Sequence, residues 1–138
     1  CHQRTGRFAF RETNGKEDPD LNEQQVADIA HAAIQTEIDG IIATNTTIDK
    51  SALGHHPLAG EQGGLSGAPV REASNRVLKQ LLAELEGRLP VIGVGGILSG
   101  ADAAAKLHMG AAAVQVYSGL IYRGPALVKE CLRACADA

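Results

Sequence analysis

Apolar residues recur along this chain with two different periods, and segments of the two kinds alternate. A helical period of three to four residues runs through 21–38, 70–87, 99–110 and 124–138. Short β-branched runs lie between these segments, at 41–48 (IIATNTTI), 90–97 (PVIGVGGI) and 112–121 (AAVQVYSGLI). The order helix, strand, helix, strand, helix, strand, helix predicts an α/β fold with parallel strands.

Polar residues dominate the start of the chain. Asp20 is predicted to cap the first helix, with Glu23 three residues on as its capping-box partner. The strand candidate before this helix is the short run RFAF at 7–10. We therefore expect residues 1–18 to form an irregular or altered start, and residues 19–138 to form the folded unit.

Charge and composition exclude several kinds of protein. The net charge of −3 offers no basic surface, so no nucleic-acid partner is expected. No apolar run approaches the roughly 18 residues of a membrane helix, and the chain is expected to be soluble. Cys1, Cys131 and Cys135 show no metal-ligand spacing with the histidines, which favours reduced thiols and no metal site. Because the chain begins with Cys1 rather than Met, we expect a fragment or a processed product.

Glycines follow two consecutive strands. Gly95-Gly96 end one strand, and Ser118-Gly119 end the next. Ligands of parallel α/β folds bind at the carboxyl ends of strands, where bare backbone N–H groups suit an anion such as phosphate. A β-carbon at Gly95 or Gly96 is expected to block the approach of that ligand. The alternative is that these glycines only permit tight strand-to-helix turns.

Short neutral side chains follow the first strand, at Thr44-Asn45-Thr46. An Asn amide both donates and accepts, so it can read an amide or imide edge, although Thr and Asn also cap strand ends. Tyr117 fits either a place over a ligand or a place in the core. The loop 49–69 is long enough to be functional, and its His55-His56 pair is expected on the surface rather than in catalysis.

Four motifs resemble one enzyme family. They are DGIIATNTT (39–47), GGLSGAPV (63–70), GRLPVIGVGGI (87–97) and VQVYSGLIYRGP (114–125). Together with their spacing, they are similar to the C-terminal half of dihydroorotate dehydrogenase. The YSG triplet of the last motif favours the class 2, quinone-linked type. The resemblance covers residues 19–138 and implies the C-terminal half of a TIM (β/α)8 barrel.

The resemblance also implies an FMN site at the carboxyl ends of the barrel strands. The FMN phosphate would be held by Gly96 after one strand and by Tyr117 and Ser118 after the next. Thr44 and Gly67 would contact the cofactor as well. These assignments come from the family's motifs, matched residue by residue to this sequence.

Substrate-side residues follow from the same resemblance. Asn45 and Thr46 would contact the ring of dihydroorotate or orotate. A lysine that compensates the charge of the reduced flavin corresponds by spacing to Lys16. The family sets this lysine in an apolar strand, typically followed by Ile-Ala-Pro-Asp. Here Pro19 and Asp20 match that pattern, whereas the two residues directly after Lys16 and the polar residues before it do not.

The implied reaction is the oxidation of dihydroorotate to orotate, a step of pyrimidine synthesis, with electrons passing from FMN to a quinone. The class 2 base is a serine in the N-terminal half, and no serine of this chain stands at its position. That half also carries the quinone tunnel, and the parent enzyme lies peripherally at the cytoplasmic face of the inner membrane. The chain alone is therefore expected to be inactive.

Two other interpretations stay open at this point. One is another FMN- or phosphate-binding TIM-barrel enzyme with the same glycine pattern, in which Asn45 would be dispensable. The other is a non-enzymatic half-barrel that binds a phosphate ligand or a partner half. Replacing Asn45 tests the first interpretation, and mixing the chain with an N-terminal half tests the second.

Overall fold

The computed structural model describes residues 8–9, 19–36 and 38–136. Within these residues four strands form one parallel sheet, in chain order: β1 (Phe8–Ala9), β2 (Gly40–Ala43), β3 (Val91–Val94) and β4 (Ala113–Gln115). The described α-helices are α1 (Glu23–Gln35), α2 (Arg71–Leu85), α3 (Gly100–His108), α4 (Ser118–Arg123) and α5 (Pro125–Ala136). The predicted α/β fold with parallel strands is confirmed, and the run at 7–10 contributes a two-residue strand.

The strands end earlier than their apolar runs suggest. β3 ends at Val94 because Gly95 and Gly96 take positive φ angles of 104° and 71°, which leave the extended region. The expected strand over 112–121 ends at Gln115, and α4 occupies the second half of that run. Gly119 explains this change, because a β-carbon there would lie 2.2 Å from the carbonyl oxygen of Ile97. The chain must turn into α4 at this point to pack against the segment after β3.

Helix α1 begins two residues later than predicted. Asn22, not Asp20, is its N-cap: the Asn22 side chain accepts from the amide of Gln25, and the Gln25 side chain accepts from the amide of Asn22, both at 2.9 Å. The Asp20 carboxylate instead accepts a 2.8 Å hydrogen bond from the Thr47 hydroxyl. Asp20 is therefore used to tie the start of the folded unit to the segment after β2.

The loop 49–69 is more ordered than its Gly- and Pro-rich composition indicates. It contains three short 3-10 turns, Ser51–Leu53, Pro57–Gly60 and Ala68–Val70. Thr47 and Leu65 pair as an isolated antiparallel bridge, with backbone hydrogen bonds of 3.0 and 2.7 Å. A β-carbon on Gly64 would lie 1.9 Å from the Thr46 hydroxyl oxygen. The loop therefore folds back onto the residues that follow β2.

In the part of the chain that the structure describes, two apolar clusters form the core. The larger one lies between α1, α2 and the sheet, and it includes Val26, Ala30, Leu78, Leu81, Leu85 and Val91. The smaller one joins α3 and α5 under the segment after β3, through Ile97, Ala103, Leu127 and Cys131. In the described ranges, no helix combines the length and the hydrophobicity that a membrane crossing needs.

Glycines let α2 and α3 approach β3 closely. A β-carbon on Gly93 would lie 3.0 Å from the Lys106 side chain of α3, and one on Gly95 would lie 2.9 Å from the Ser74 hydroxyl of α2. A β-carbon on Gly96 would clash with the main chain of α2, because it would lie 2.4 Å from both Cα and Cβ of Arg71. The turn after β3 therefore rests directly on the first turns of α2.

Lys106 is a cation within this interior. Only 1% of the residue is exposed, and its ammonium donates to the Ser74 hydroxyl at 2.9 Å and to the Asn75 side-chain oxygen at 2.8 Å. Burial lowers the pKa of Lys106 from 10.5 to about 8, while the nearby carboxylates of Asp102 and Glu72 act in the opposite direction. The charge is held by neutral oxygens and reduces the stability of the fold at neutral pH.

We predict that Lys106→Met removes a pH-dependent part of the stability. In the wild type, the unfolded chain keeps the lysine proton up to pH 10.5 and the folded chain loses it near pH 8. The unfolded state binds more protons between these values, so the free energy of unfolding rises there by up to about 3 kcal/mol. Below about pH 8 both states are protonated and this contribution is constant. Urea denaturation from pH 7 to 10 measures the rise.

The matched control is Lys79→Met, which changes an exposed lysine of α2. We expect Lys79→Met to retain the wild-type pH slope and Lys106→Met to be at least as stable as the wild type at pH 7. Parallel pH curves for the wild type and Lys106→Met would contradict the prediction.

We also predict that Gly96→Ala is far more destabilising than Gly87→Ala. Both glycines have positive φ, 71° and 77°, but only at Gly96 does the added methyl group meet other atoms. The left-handed conformation alone costs about 1 kcal/mol, and the clash with Arg71 raises the loss at Gly96 to about 3 kcal/mol. Urea denaturation of both variants measures the difference, and equal losses would show that α2 does not restrict the turn.

Candidate functional site

A cleft of about 220 Å³ opens where β2, β3 and β4 end. It brings together every site residue predicted from the sequence that lies in the described part of the chain: Thr44, Asn45, Thr46, Gly67, Gly96, Tyr117 and Ser118. The carboxyl ends of parallel strands meet at one edge of a sheet, which explains why residues from distant parts of the sequence converge here. Lys16 lies outside the described residues.

Thr44 places a hydroxyl group at the base of the cleft. The residue is 9% exposed, and its buried Oγ1 has no hydrogen-bond partner among the residues that the structure describes. Its backbone amide donates to the Val94 carbonyl at 3.2 Å, which fixes the residue against β3. A buried hydroxyl without a partner costs about 1–3 kcal/mol, and a polar ligand in the cleft would supply the missing bond.

Asn45 and Thr46 form one wall of the cleft. Asn45 is exposed, and its side-chain oxygen accepts a 2.8 Å hydrogen bond from the Thr46 amide. This bond leaves the Asn45 NH₂ group as a donor toward the cleft. Gly64 lies against the Thr46 side chain, so the folded loop 49–69 holds Thr46 in place. This wall therefore suits a ligand that carries hydrogen-bond acceptors.

The turn after β3 forms the opposite part of the cleft. The absent β-carbons of Gly95 and Gly96 face α2, so the expectation that they clear the path of a ligand is wrong: they clear the path of the helix. Arg71 donates through Nε to the Gly96 carbonyl at 3.2 Å. In a trans peptide the N–H points opposite to the C=O, so the Ile97 amide points away from Arg71. Helix α2 thus sets the orientation of backbone donors in the turn.

Asp102 holds the rest of this turn. Its carboxylate pairs with Arg71 at 3.1 Å and accepts hydrogen bonds from the Leu98 amide at 3.0 Å and the Ser99 hydroxyl at 2.8 Å. Nothing in the sequence singles out Arg71, which is a surface-type residue on an amphipathic helix. Asp102 stands three residues after the N-cap Ser99, and this S-x-x-D spacing is a capping-box signal that could have identified it. Their role depends on the contact between α2 and the start of α3, which only the folded chain shows.

Glu130 of α5 supports the same segment from behind. Its carboxylate accepts from the Gly100 amide at 2.8 Å and pairs with Arg123 at 2.8 Å. Both contacts lower the pKa of Glu130, and the hydrogen bond from Gly100 has the larger effect. Arg123 also donates to the Leu98 carbonyl at 2.7 Å. The residues between β3 and α3 are therefore held by side chains of α2, α4 and α5.

Tyr117 and Ser118 close the cleft from the end of β4. The Ser118 hydroxyl lies 2.9 Å from the hydroxyl of Ser66, which joins the start of α4 to the GLSG segment. Tyr117 is 72% exposed, so it does not fill the core and its side chain borders the cleft. Gly67 faces the Ser118 side chain with a φ of 82°. The three segments after β2, β3 and β4 contact one another around a single opening.

The chemistry of the cleft is neutral. None of the described residues that line it carries an ionisable acid, amine or imidazole side chain. His55 and His56 are exposed and lie outside the cleft, as expected, and the His56 ring accepts from the Leu58 amide at 3.2 Å. In the described ranges, no three His, Cys, Asp or Glu side chains gather into a possible metal site. The arrangement can bind and orient a ligand.

Comparisons with known proteins agree with this geometry. The model of the dihydroorotate dehydrogenase family matches residues 15–137. A dihydroorotate dehydrogenase (quinone) of Neisseria meningitidis serogroup C is 71% identical over 119 residues, which are 86% of this chain and 36% of that protein. The corresponding protein of Chromobacterium violaceum is 58% identical over 119 residues, 86% of this chain and 35% of that protein.

Solved structures give the same result. The crystal structure of DHODH from Eimeria tenella in complex with ferulenol superposes with a TM-score of 0.80 at 36% identity. The match covers 87% of this chain and 32% of that chain. The chain thus spans about a third of the length of the relatives that it matches. The chain belongs to the dihydroorotate dehydrogenase family.

Proposed function

We propose that this chain forms the part of a dihydroorotate dehydrogenase site that holds FMN and one face of the substrate. The observation that carries the proposal is the cleft itself, which gathers the seven described residues that the family's motifs assign to cofactor and substrate. The buried Thr44 hydroxyl without a partner supports a polar ligand at this position. The residues present therefore fit the cofactor that the family uses.

The phosphate of FMN would bind at the end of the cleft between β3 and β4. Gly96 and Ile97 in the turn after β3, and Tyr117 and Ser118 after β4, line this end. Among the described residues, the amides of Gly96 and Ile97 donate no hydrogen bond to the protein, so they are available to an anion. Successive free amides in a turn form a concave anion site.

The substrate would bind along the wall formed by Asn45 and Thr46. Orotate and dihydroorotate carry a carboxylate and ring carbonyls, all of which are hydrogen-bond acceptors. The Asn45 NH₂ group is the matching donor, because its oxygen is already used by the Thr46 amide. Thr46 adds a hydroxyl that both donates and accepts. This wall would orient the substrate ring against the flavin.

When bound, FMN would supply the redox chemistry, namely the acceptance of a hydride from C6 of dihydroorotate and the transfer of its electrons to a quinone. The chain's own residues position both molecules. The residues that line the described cleft include no ionisable acid, amine or imidazole side chain. The class 2 base is a serine at a position that no serine of this chain matches. We therefore propose that the base, and the quinone-binding region with its peripheral membrane position, lie in a part of the enzyme that this chain does not include. We propose Lys16 as the lysine beside the flavin ring.

We predict that Thr44→Val weakens FMN binding without lowering the stability of the unliganded chain. Valine has the shape of threonine and removes a buried hydroxyl that has no partner in the described ranges, so the free energy of unfolding should stay equal or rise. Loss of one hydrogen bond to the cofactor should reduce affinity about three- to tenfold. Quenching of FMN fluorescence measures the affinity, and urea denaturation measures the stability.

The matched control is Thr47→Val, outside the cleft lining. The Thr47 hydroxyl donates to Asp20 and accepts from the Asp49 amide at 2.9 Å, so this variant should lose stability and keep its FMN affinity when folded. A Thr44→Val chain with wild-type FMN affinity would place the cofactor elsewhere.

We predict that Asn45→Asp abolishes orotate binding and spares FMN. The aspartate keeps the acceptor for the Thr46 amide, but it replaces the NH₂ donor with a charge that repels the orotate carboxylate. Orotate affinity of the FMN-loaded chain should fall at least about a hundredfold, because a donor to the ligand becomes a like charge. Isothermal titration with orotate tests this. Unchanged orotate affinity would favour a different phosphate-binding activity for the cleft.

A further inference from the structure

The buried ammonium of Lys106 has no role in the site described so far. Among the described residues, no carboxylate lies within 4.0 Å of it, and its two hydrogen-bond partners, Ser74 and Asn75, are neutral. Packing does not require the charge, because an apolar side chain of similar length would fill the same space beside Gly93. A buried cation without a partner charge is expensive and is normally neutralised by an anion nearby.

Ser74 connects this ammonium to the turn after β3. The Ser74 hydroxyl accepts from Lys106 at 2.9 Å and donates its own proton to the Val94 carbonyl. The Val94 carbonyl also accepts from the Thr44 amide at 3.2 Å. The Val94–Gly95 peptide is trans, so the Gly95 amide points to the side opposite these two donors. The lysine, the serine and the peptide form a chain of aligned dipoles that ends at the glycine turn. Each member of this chain strengthens the polarity of the next.

We infer that Lys106 is a positioning residue for the anion site: through the Ser74 hydroxyl its ammonium fixes the Val94–Gly95 peptide, and its charge complements a phosphate bound at the Gly95-Gly96 turn. This inference rests on the proposed function, because the phosphate is that of FMN. The lysine does not touch the ligand. Its contribution is an electrostatic field from behind the turn, in an interior where charges are poorly screened.

The test compares FMN with riboflavin, which lacks only the phosphate. The quantity of interest is the ratio of the two dissociation constants, riboflavin over FMN, measured by fluorescence quenching for the wild type, Lys106→Met and Lys79→Met. We expect Lys106→Met to lower the ratio about tenfold, the order of the attraction between charges separated by a peptide unit and two hydrogen bonds. Lys79→Met should keep the wild-type ratio.

A structural role of Lys106 gives a different result. If the lysine only filled space in the interior, Lys106→Met would leave the ratio unchanged, which would overturn the inference. If it acted only through the shape of the turn, the wild-type ratio would not change as Lys106 loses its proton. A wild-type ratio of one would instead overturn the proposed phosphate site, and the inference with it. Circular dichroism of each variant verifies the fold.

A second measurement needs no variant. The phosphate keeps its full charge above its second pKa of about 6, whereas the pKa of Lys106 lies at about 8. The carboxylates that face Lys106 belong to Asp102 of α3 and Glu72 of α2. The wild-type ratio should therefore fall as the pH rises above 8, and a ratio that is flat between pH 7 and 9 would contradict the inference.

Discussion

The turn after β3 rests on the first turns of α2, and the arrangement of the cleft depends on this contact. Any side chain at Gly96 would enter the backbone of Arg71, so helix and turn have a fixed separation. Arg71 then donates to the Gly96 carbonyl, and Ser74 donates to the Val94 carbonyl. A greater distance between the helix and the strand would not allow these hydrogen bonds. The helix whose apolar face builds the larger core cluster thereby also orients the donors of the site. Packing and binding geometry are determined together.

The order of elements and the convergence of the site residues could be predicted from the sequence. Alternating periods identify the helices and strands, and parallel strands end at one edge of the sheet, so residues after β2, β3 and β4 must meet. The residues at which helices and strands begin and end could be predicted less well. Asp20 and Asn22 are both residue types that commonly cap helices, but the Thr47 hydroxyl, 27 residues from Asp20 in the sequence, donates to the Asp20 carboxylate. The apolar pattern at residues 117–121 predicts a strand. In the folded chain this segment lies in α4, where Gly119 packs against Ile97.

The supporting residues could not be predicted, for a physical reason. Lys106 and Arg71 lie on amphipathic helices, where a charged residue ordinarily faces water. Lys106 is buried because Gly93 leaves room for its carbon stem and because small residues such as Ala103 let α3 approach the sheet. Both conditions concern two elements at once. A pattern within one segment contains no information about the space that another segment leaves open.

In the proposed site, neutral groups would contact the ligand, and a separate buried cation would attract its charge. A single lysine in contact with the ligand would combine these two tasks. Backbone amides and short hydroxyls can contact an anion at fixed positions, since their donors do not titrate and lose little conformational entropy on binding. A cation behind the turn adds attraction without competing for these hydrogen bonds or exchanging protons with the substrate. Its burial lowers the stability of the folded chain, and the fold retains it beside a core that would accept an apolar side chain. A buried charge that packing does not require, next to a turn of free amides, is the arrangement that the proposed anion site would use.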